Sequence, residues 1–84
     1  MLRAWQRLHG NDIVAEVAPV DGMGTWRAWA RHVHGGAWHN AGQSSFAMLV
    51  DAQAAADRLA IEKFNHLCDH RCAEWRPHPE APNG

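Results

Sequence analysis

Four side chains that could bind a soft metal or take part in redox chemistry fall within seven residues, His66-Leu67-Cys68-Asp69-His70-Arg71-Cys72, and they include both cysteines of the chain. Zinc takes about four such ligands in a tetrahedron, so His66, Cys68, His70 and Cys72 are the candidate metal ligands. Their spacing constrains that reading. On a continuous helix, residues four apart share a face, which pairs Cys68 with Cys72 and His66 with His70. At 100° per residue, His66 and Cys68 point about 200° apart. All four can therefore hold one zinc only where the helix breaks. Otherwise the cysteine pair must recruit a distant ligand such as His78 or His39. The strong zinc signatures pair cysteines at two-residue spacing with a second half-site, a pattern this chain lacks. A second alternative makes Cys68 and Cys72 small buried apolar residues, with the histidines in water. A third is a disulfide. It too needs a broken helix, because Cβ atoms one turn apart lie about 5–6 Å from each other, against the roughly 3.5–4.5 Å of a disulfide. No cofactor is expected, and zinc is the one that this arrangement could take.

Catalytic patterns are sparse. A cysteine near a histidine has the makings of a nucleophile, but the helical stripe puts the cysteines on a face expected to be buried. His32 and His34 alternate across a strand and do not converge. Ser44 and Ser45 lack a nucleophile motif. Gly22-Met23-Gly24 and Gly35-Gly36 are hairpin turns with no helix opening after them, so they are not phosphate loops. The expectation is a non-enzymatic protein.

A different chemistry comes from Thr25 to Val33. Here Trp26, Ala28 and Ala30 alternate with Arg27, Trp29 and Arg31, which reads as a strand with one small apolar face and one basic face around a tryptophan. An aromatic flanked by arginines is the composition of an interface hot spot or of a base-stacking platform. Arg27, Trp29 and Arg31, with His39 nearby, are the candidate partner-binding residues. Trp26 and Trp75 are the candidate core tryptophans.

The elements that must position these groups follow from the rest of the pattern. Eighty-four residues make one domain with a modest core, and 46% hydrophobic content is enough to fold it. Leu2 to His9 reads as a strand, followed by Gly10-Asn11-Asp12 as a turn. Ile13 to Ala18 is a second strand that Pro19 ends or marks as an edge. After the Trp26 strand, Ala37 to Ala41 returns as another, and Phe46 resumes pairing. The period then changes. Leu49, Ala52, Ala56, Leu59, Ala60, Phe64, Leu67, Cys68, Cys72 and Trp75 recur at three- and four-residue steps, an amphipathic helix. Asp51, Gln53, Asp57, Arg58, Glu62 and Lys63 take its wetter side. A helix from Leu49 to Trp75 would run about 40 Å, long for such a domain, so an end or bend is expected near Asn65 to Cys72. Pro77, Pro79 and Pro82 suit an extended tail. The expected architecture is α+β: a three- or four-stranded antiparallel sheet packed on one long C-terminal helix, with a domain over 1–76 and a tail over 77–84.

Charge narrows the partners. The formal net charge of −1 argues against nucleic-acid binding by bulk electrostatics. Protonating the seven histidines would reverse that sign. The N-terminus has no apolar signal-peptide core and no run suits a membrane span, so the expected setting is cytoplasmic with no membrane partner. Trp26-Arg27-Ala28-Trp29-Ala30, the Gly-Gly turn, Phe46 and Asp51-Ala52-Gln53-Ala54-Ala55-Ala56 together resemble the arm-type DNA-binding domain of phage integrases and the plant AP2 domain, over roughly residues 13 to 64. That resemblance implies a sheet face that reads DNA through Arg27, Trp29 and Arg31. In size and compactness the chain also resembles the small phage-type anti-CRISPR inhibitors. The function expected first is docking on a protein or ribonucleoprotein partner, in its most concrete form as an inhibitor of a bacterial defence complex. The alternatives are a nucleic-acid-binding module and a zinc-stabilised structural domain.

Overall fold

The computed structural model describes residues 4–10, 12–20, 24–35, 38–42, 45–65 and 72–78. They form a five-stranded antiparallel sheet with one helix on one face, in the order β1 (Trp5–His9), β2 (Ile13–Val20), β3 (Thr25–His32), β4 (Trp38–Asn40), α1 (Leu49–Lys63) and β5 (Arg76–Pro77). Across the sheet the strands run β4-β3-β2-β1-β5. The α+β class is as the sequence reads. Three features differ from expectation: where the helix ends, a fifth strand, and the run of β2 past Pro19.

The first is the helix end. α1 stops at Lys63, just ahead of the Asn65-to-Cys72 stretch near which its length predicts an end. Phe64 is its C-cap and Asn65 takes φ 53°. That left-handed conformation closes a helix, and asparagine tolerates it better than most residues with a Cβ. At 15 residues, α1 is about 22 Å long, which suits the sheet it crosses. Trp75 and Cys72 therefore lie beyond the helix, on the segment that returns toward the sheet. His66, Leu67, Cys68 and His70 lie outside the described residues.

The second is β5. Arg76 and Pro77, expected at the tail boundary, pair antiparallel with β1 as Trp5↔Pro77 and Gln6↔Arg76. Ala73 N–H donates to Leu8 O at 2.9 Å and His78 N–H to Ala4 O at 2.9 Å. The sheet thus gains an edge strand on the side where the sequence shows only prolines. Proline is admissible there because an edge strand leaves one side of its backbone unpaired.

Pro19 does not end its strand. Its partner Trp26 exchanges both backbone bonds with Phe46, at 2.8 Å each. In an antiparallel ladder the residue opposite then points its own backbone the other way. The missing N–H of Pro19 is thus on the β1 side, past Trp5↔Val17, the last pair of that ladder among the described residues. The bridge at Phe46 is the renewed pairing that the sequence suggests.

The core lies between α1 and the sheet. Ala52, Ala56 and Ala60 face Ala15, Ala28 and Ala30, all buried, together with Ile13, Val17 and Leu59. An alanine methyl contributes only about 0.8 kcal/mol, whereas a tryptophan buries roughly 150–250 Å². The alanines therefore set a close helix–sheet distance and the tryptophans supply the burial. Trp26 is 7% exposed within the core, and Trp5 and Trp75 pack against it. Trp75 packs against the core but is only partly buried, and it arrives from the return segment rather than from the helix.

Candidate functional site

Strand alternation divides the sheet into two faces with different chemistry. Trp5, Arg7 and His9 of β1, Ile13, Ala15 and Val17 of β2, and Trp26, Ala28, Ala30 and His32 of β3 share the helix side by register. Gln6, Leu8, Val14, Glu16, Arg27, Trp29, Arg31, Trp38 and Asn40 share the outer side.

The outer face is organised around Glu16, which is only 3% exposed although, among the described residues, no helix lies on that side of the sheet. A carboxylate buried to this degree is costly unless it is paired and hydrogen-bonded. Trp29 Nε1–H donates to its Oε1 at 2.8 Å and Arg31 Nε–H to the same oxygen at 2.6 Å. Arg31 Nη2 reaches Oε2 at 3.4 Å, and His78 Nε2–H donates to Oε2 at 2.6 Å. Burial pushes the Glu16 carboxyl up, and the bonds from Arg31, Trp29 and His78 more than offset this and hold it below its ordinary value. Among the described residues, no buried side-chain nitrogen or oxygen lacks a hydrogen-bond partner.

Glu16 fixes Trp29, and Trp29 carries an aromatic ladder. Its ring stacks on Trp38 with centroids 5.7 Å apart and planes 9° apart. The Arg27 guanidinium lies 5.8 Å from the Trp29 centroid, within cation–π range. Trp38 is 50% exposed, and Arg27 and Arg76 are exposed. The structure thus brings Arg27, Trp29 and Arg31 together as the sequence suggests, and adds Trp38, Glu16 and His78. Arg31 is spent on Glu16, so Arg27 is the arginine of the trio presented to a partner.

His39 is not part of this arrangement. It pairs with Ala30 on the helix side, where its ring meets Phe64 edge-on at 5.2 Å beside His32 at 4.9 Å. Counting from Trp38 explains the separation: neighbours on a strand point to opposite faces.

A second constellation lies on the helix side, at the end of β1. His9 is fully buried and its Nε2–H donates to Asp57 Oδ1 at 2.7 Å. Its Nδ1 lies 3.6 Å from Cys72 Sγ. Arg7 Nη1 donates to Asp57 Oδ2 at 3.1 Å, and Arg7 Nε to Ala73 O at 2.7 Å. Asp57, read from the sequence as solvated, is engaged instead by two residues of β1. The position follows from α1: Asp57 flanks the buried Ala56 and so sits at the margin of the packed face. Of the four candidate metal ligands only Cys72 is described, and its Sγ faces His9 Nδ1. Among the described residues no three His, Cys, Asp or Glu side chains form a metal-holding group.

No family model, curated protein or solved structure matches this chain. Among the described residues no helix is long and apolar enough to cross a membrane.

Proposed function

We propose that the chain is a non-enzymatic binding module that docks on a cytoplasmic protein or ribonucleoprotein through the outer sheet face. One observation carries the reading: the Arg27–Trp29–Trp38 ladder, half-exposed at Trp38 and braced from beneath by buried Glu16. Stacked aromatics with a neighbouring arginine, held rigid before the partner arrives, are what interface hot spots are built from. Without that bracing, two large aromatic side chains would be an ordering cost at binding rather than an asset. The most concrete form of the reading is an inhibitor of a bacterial defence complex, which rests on likeness of size and character to the anti-CRISPR class.

The ladder also supports a second reading, a stacking platform for single-stranded nucleic acid. Neutralisation of Arg31 by Glu16 and the net charge of −1 weigh against it. The two separate in one experiment. The intact chain and its Trp38→Ala variant are used as bait in native host lysate with and without nuclease, and each is titrated with a single-stranded oligonucleotide at low salt. A protein retained by the natural chain after nuclease, and lost with Trp38→Ala, is the expected result. Retention that the variant leaves intact would remove the outer face from the account. Oligonucleotide binding with a steep salt dependence and no retained protein would favour the second reading.

A further inference from the structure

A cavity opens between α1 and the β4 edge of the sheet, away from the outer face. α1 seats its alanine stripe on β2 and β3, while β4 is the edge strand and only three residues long. The helix flank beside that stripe therefore overhangs the edge. The gap holds about 420 Å³, within the roughly 300–1,000 Å³ of small-molecule sites. Its walls are apolar. Ala41 and Phe46 come from the chain that follows β4, and Ala55 and Leu59 come from α1, one turn apart. Gly42 borders open space, since a Cβ placed there would meet no atom within 4 Å. Arg58, Glu62 and Lys63 line the same cavity. Residues 55, 58, 59 and 62 fall at i, i+3, i+4 and i+7, which is one flank of a helix. The sequence thus sets the charges beside the apolar walls. Arg58 precedes Glu62 by four residues, the less favourable order for a helical ion pair. Among the described residues, the side chains of Arg58, Glu62 and Lys63 take part in no ion pair or hydrogen bond. All three are exposed, so the two cations set against Glu62 leave a surplus of one positive charge at the rim.

We propose that this cavity binds a small carboxylate with an apolar body, an aromatic ring or a branched chain. The body fills the space between Phe46 and Leu59 and takes apolar surface out of water. The carboxylate stays at the rim. There the Arg58 guanidinium offers a planar fork that matches two carboxylate oxygens, and Lys63 adds a second cation. Glu62 limits the surplus to one charge, which suits a monoanion and disfavours a phosphate dianion. The site lies on the helix side of the sheet, so its occupancy does not depend on docking at the outer face.

The test titrates the natural chain at low salt with 3-phenylpropionate and with 4-methylpentanoate, followed by amide NMR spectra. Saturable shifts centred on Phe46, Ala55 and Leu59 are expected with at least one of them, at a Kd of about 1 mM or tighter. The matching uncharged amide should bind about five-fold more weakly or worse, because it lacks the charge-assisted bond. Arg58→Gln, an exposed change to another good helix former, should weaken the carboxylate by about the same factor and leave the amide unchanged. Ala55→Leu, which extends a side chain into the cavity, should block both. No saturable shift with either carboxylate up to about 20 mM would overturn the proposal. So would an amide that binds as tightly as its carboxylate, or full carboxylate affinity in Arg58→Gln. Shifts centred on Trp38 instead of the α1–β4 cavity would overturn it too. The natural chain and Arg58→Gln decide the matter even if Ala55→Leu does not fold.

Discussion

Glu16 is the residue on which the outer face depends, and nothing in its local sequence marks it. It sits among Ile13, Val14, Ala15 and Val17, where a lone acid reads as an ordinary outward-facing position. Its partners Arg31 and His78 are 15 and 62 residues away, and a single sequence does not display such distances. Arg27, Trp29 and Arg31 were legible because alternation within one strand is local. Trp38 aligns beside Trp29 through hairpin register, which alternation within one strand does not display, and His39, one residue along, faces the helix side. Glu16→Gln keeps the volume and an acceptor for Trp29, but leaves Arg31 without its anion. Arg31 retains some access to water, so a loss of about 1–3 kcal/mol is expected in denaturant unfolding. The acid response follows from the same carboxylate. Its folded-state pKa is held below the ordinary value, so its contribution to stability is full above the ordinary carboxylate range and disappears as pH falls through the folded value. Melting curves of the natural chain should therefore lose stability in acid more steeply than those of Glu16→Gln, and parallel curves would contradict this.

At the scale of elements, periodicity identified the sheet strands and the helix, because each buries one face and that face recurs at period two or 3.6. It did not identify the helix end. The stripe from Leu49 continues numerically through Cys72 and Trp75, since a chain that turns back to the same core also supplies apolar residues there. The stop is made by the backbone of Asn65, a turn signal that period counting passes over. β5 escaped for the opposite reason: two residues, one of them proline, carry no period. The contact between α1 and the sheet rests on alanine against alanine, which leaves no room for longer side chains. Ala56, fully buried among Ala15, Val17, Trp26 and Ala28, is the position where this is most directly checked. Ala56→Leu should destabilise the fold by about 1–3 kcal/mol through overpacking, measured by denaturant unfolding. A neutral or stabilising result would mean that the helix and sheet are further apart than described.

For the whole molecule, the two faces of the sheet carry different chemistry. The helix side holds the core and, at the end of β1, the Cys72–His9–Asp57 array. The outer side presents arginine and stacked tryptophan over a buried carboxylate. A substitution on the outer face at Trp38 should therefore alter binding with little change in folding, since Trp38 is 50% exposed and packs on no core residue of the helix side. Val50, 62% exposed on α1, offers the matching control on the opposite side of the molecule. The central claim is tested most directly by calorimetric titration of the captured partner with the natural chain, Trp38→Ala and Val50→Ala, with melting temperatures recorded for all three. The expected result is a loss of about 2 kcal/mol or more for Trp38→Ala, the size of a hot-spot truncation, with Val50→Ala unchanged and all three equally folded. Full affinity in Trp38→Ala, or a loss confined to Val50→Ala, would contradict docking through the outer sheet face.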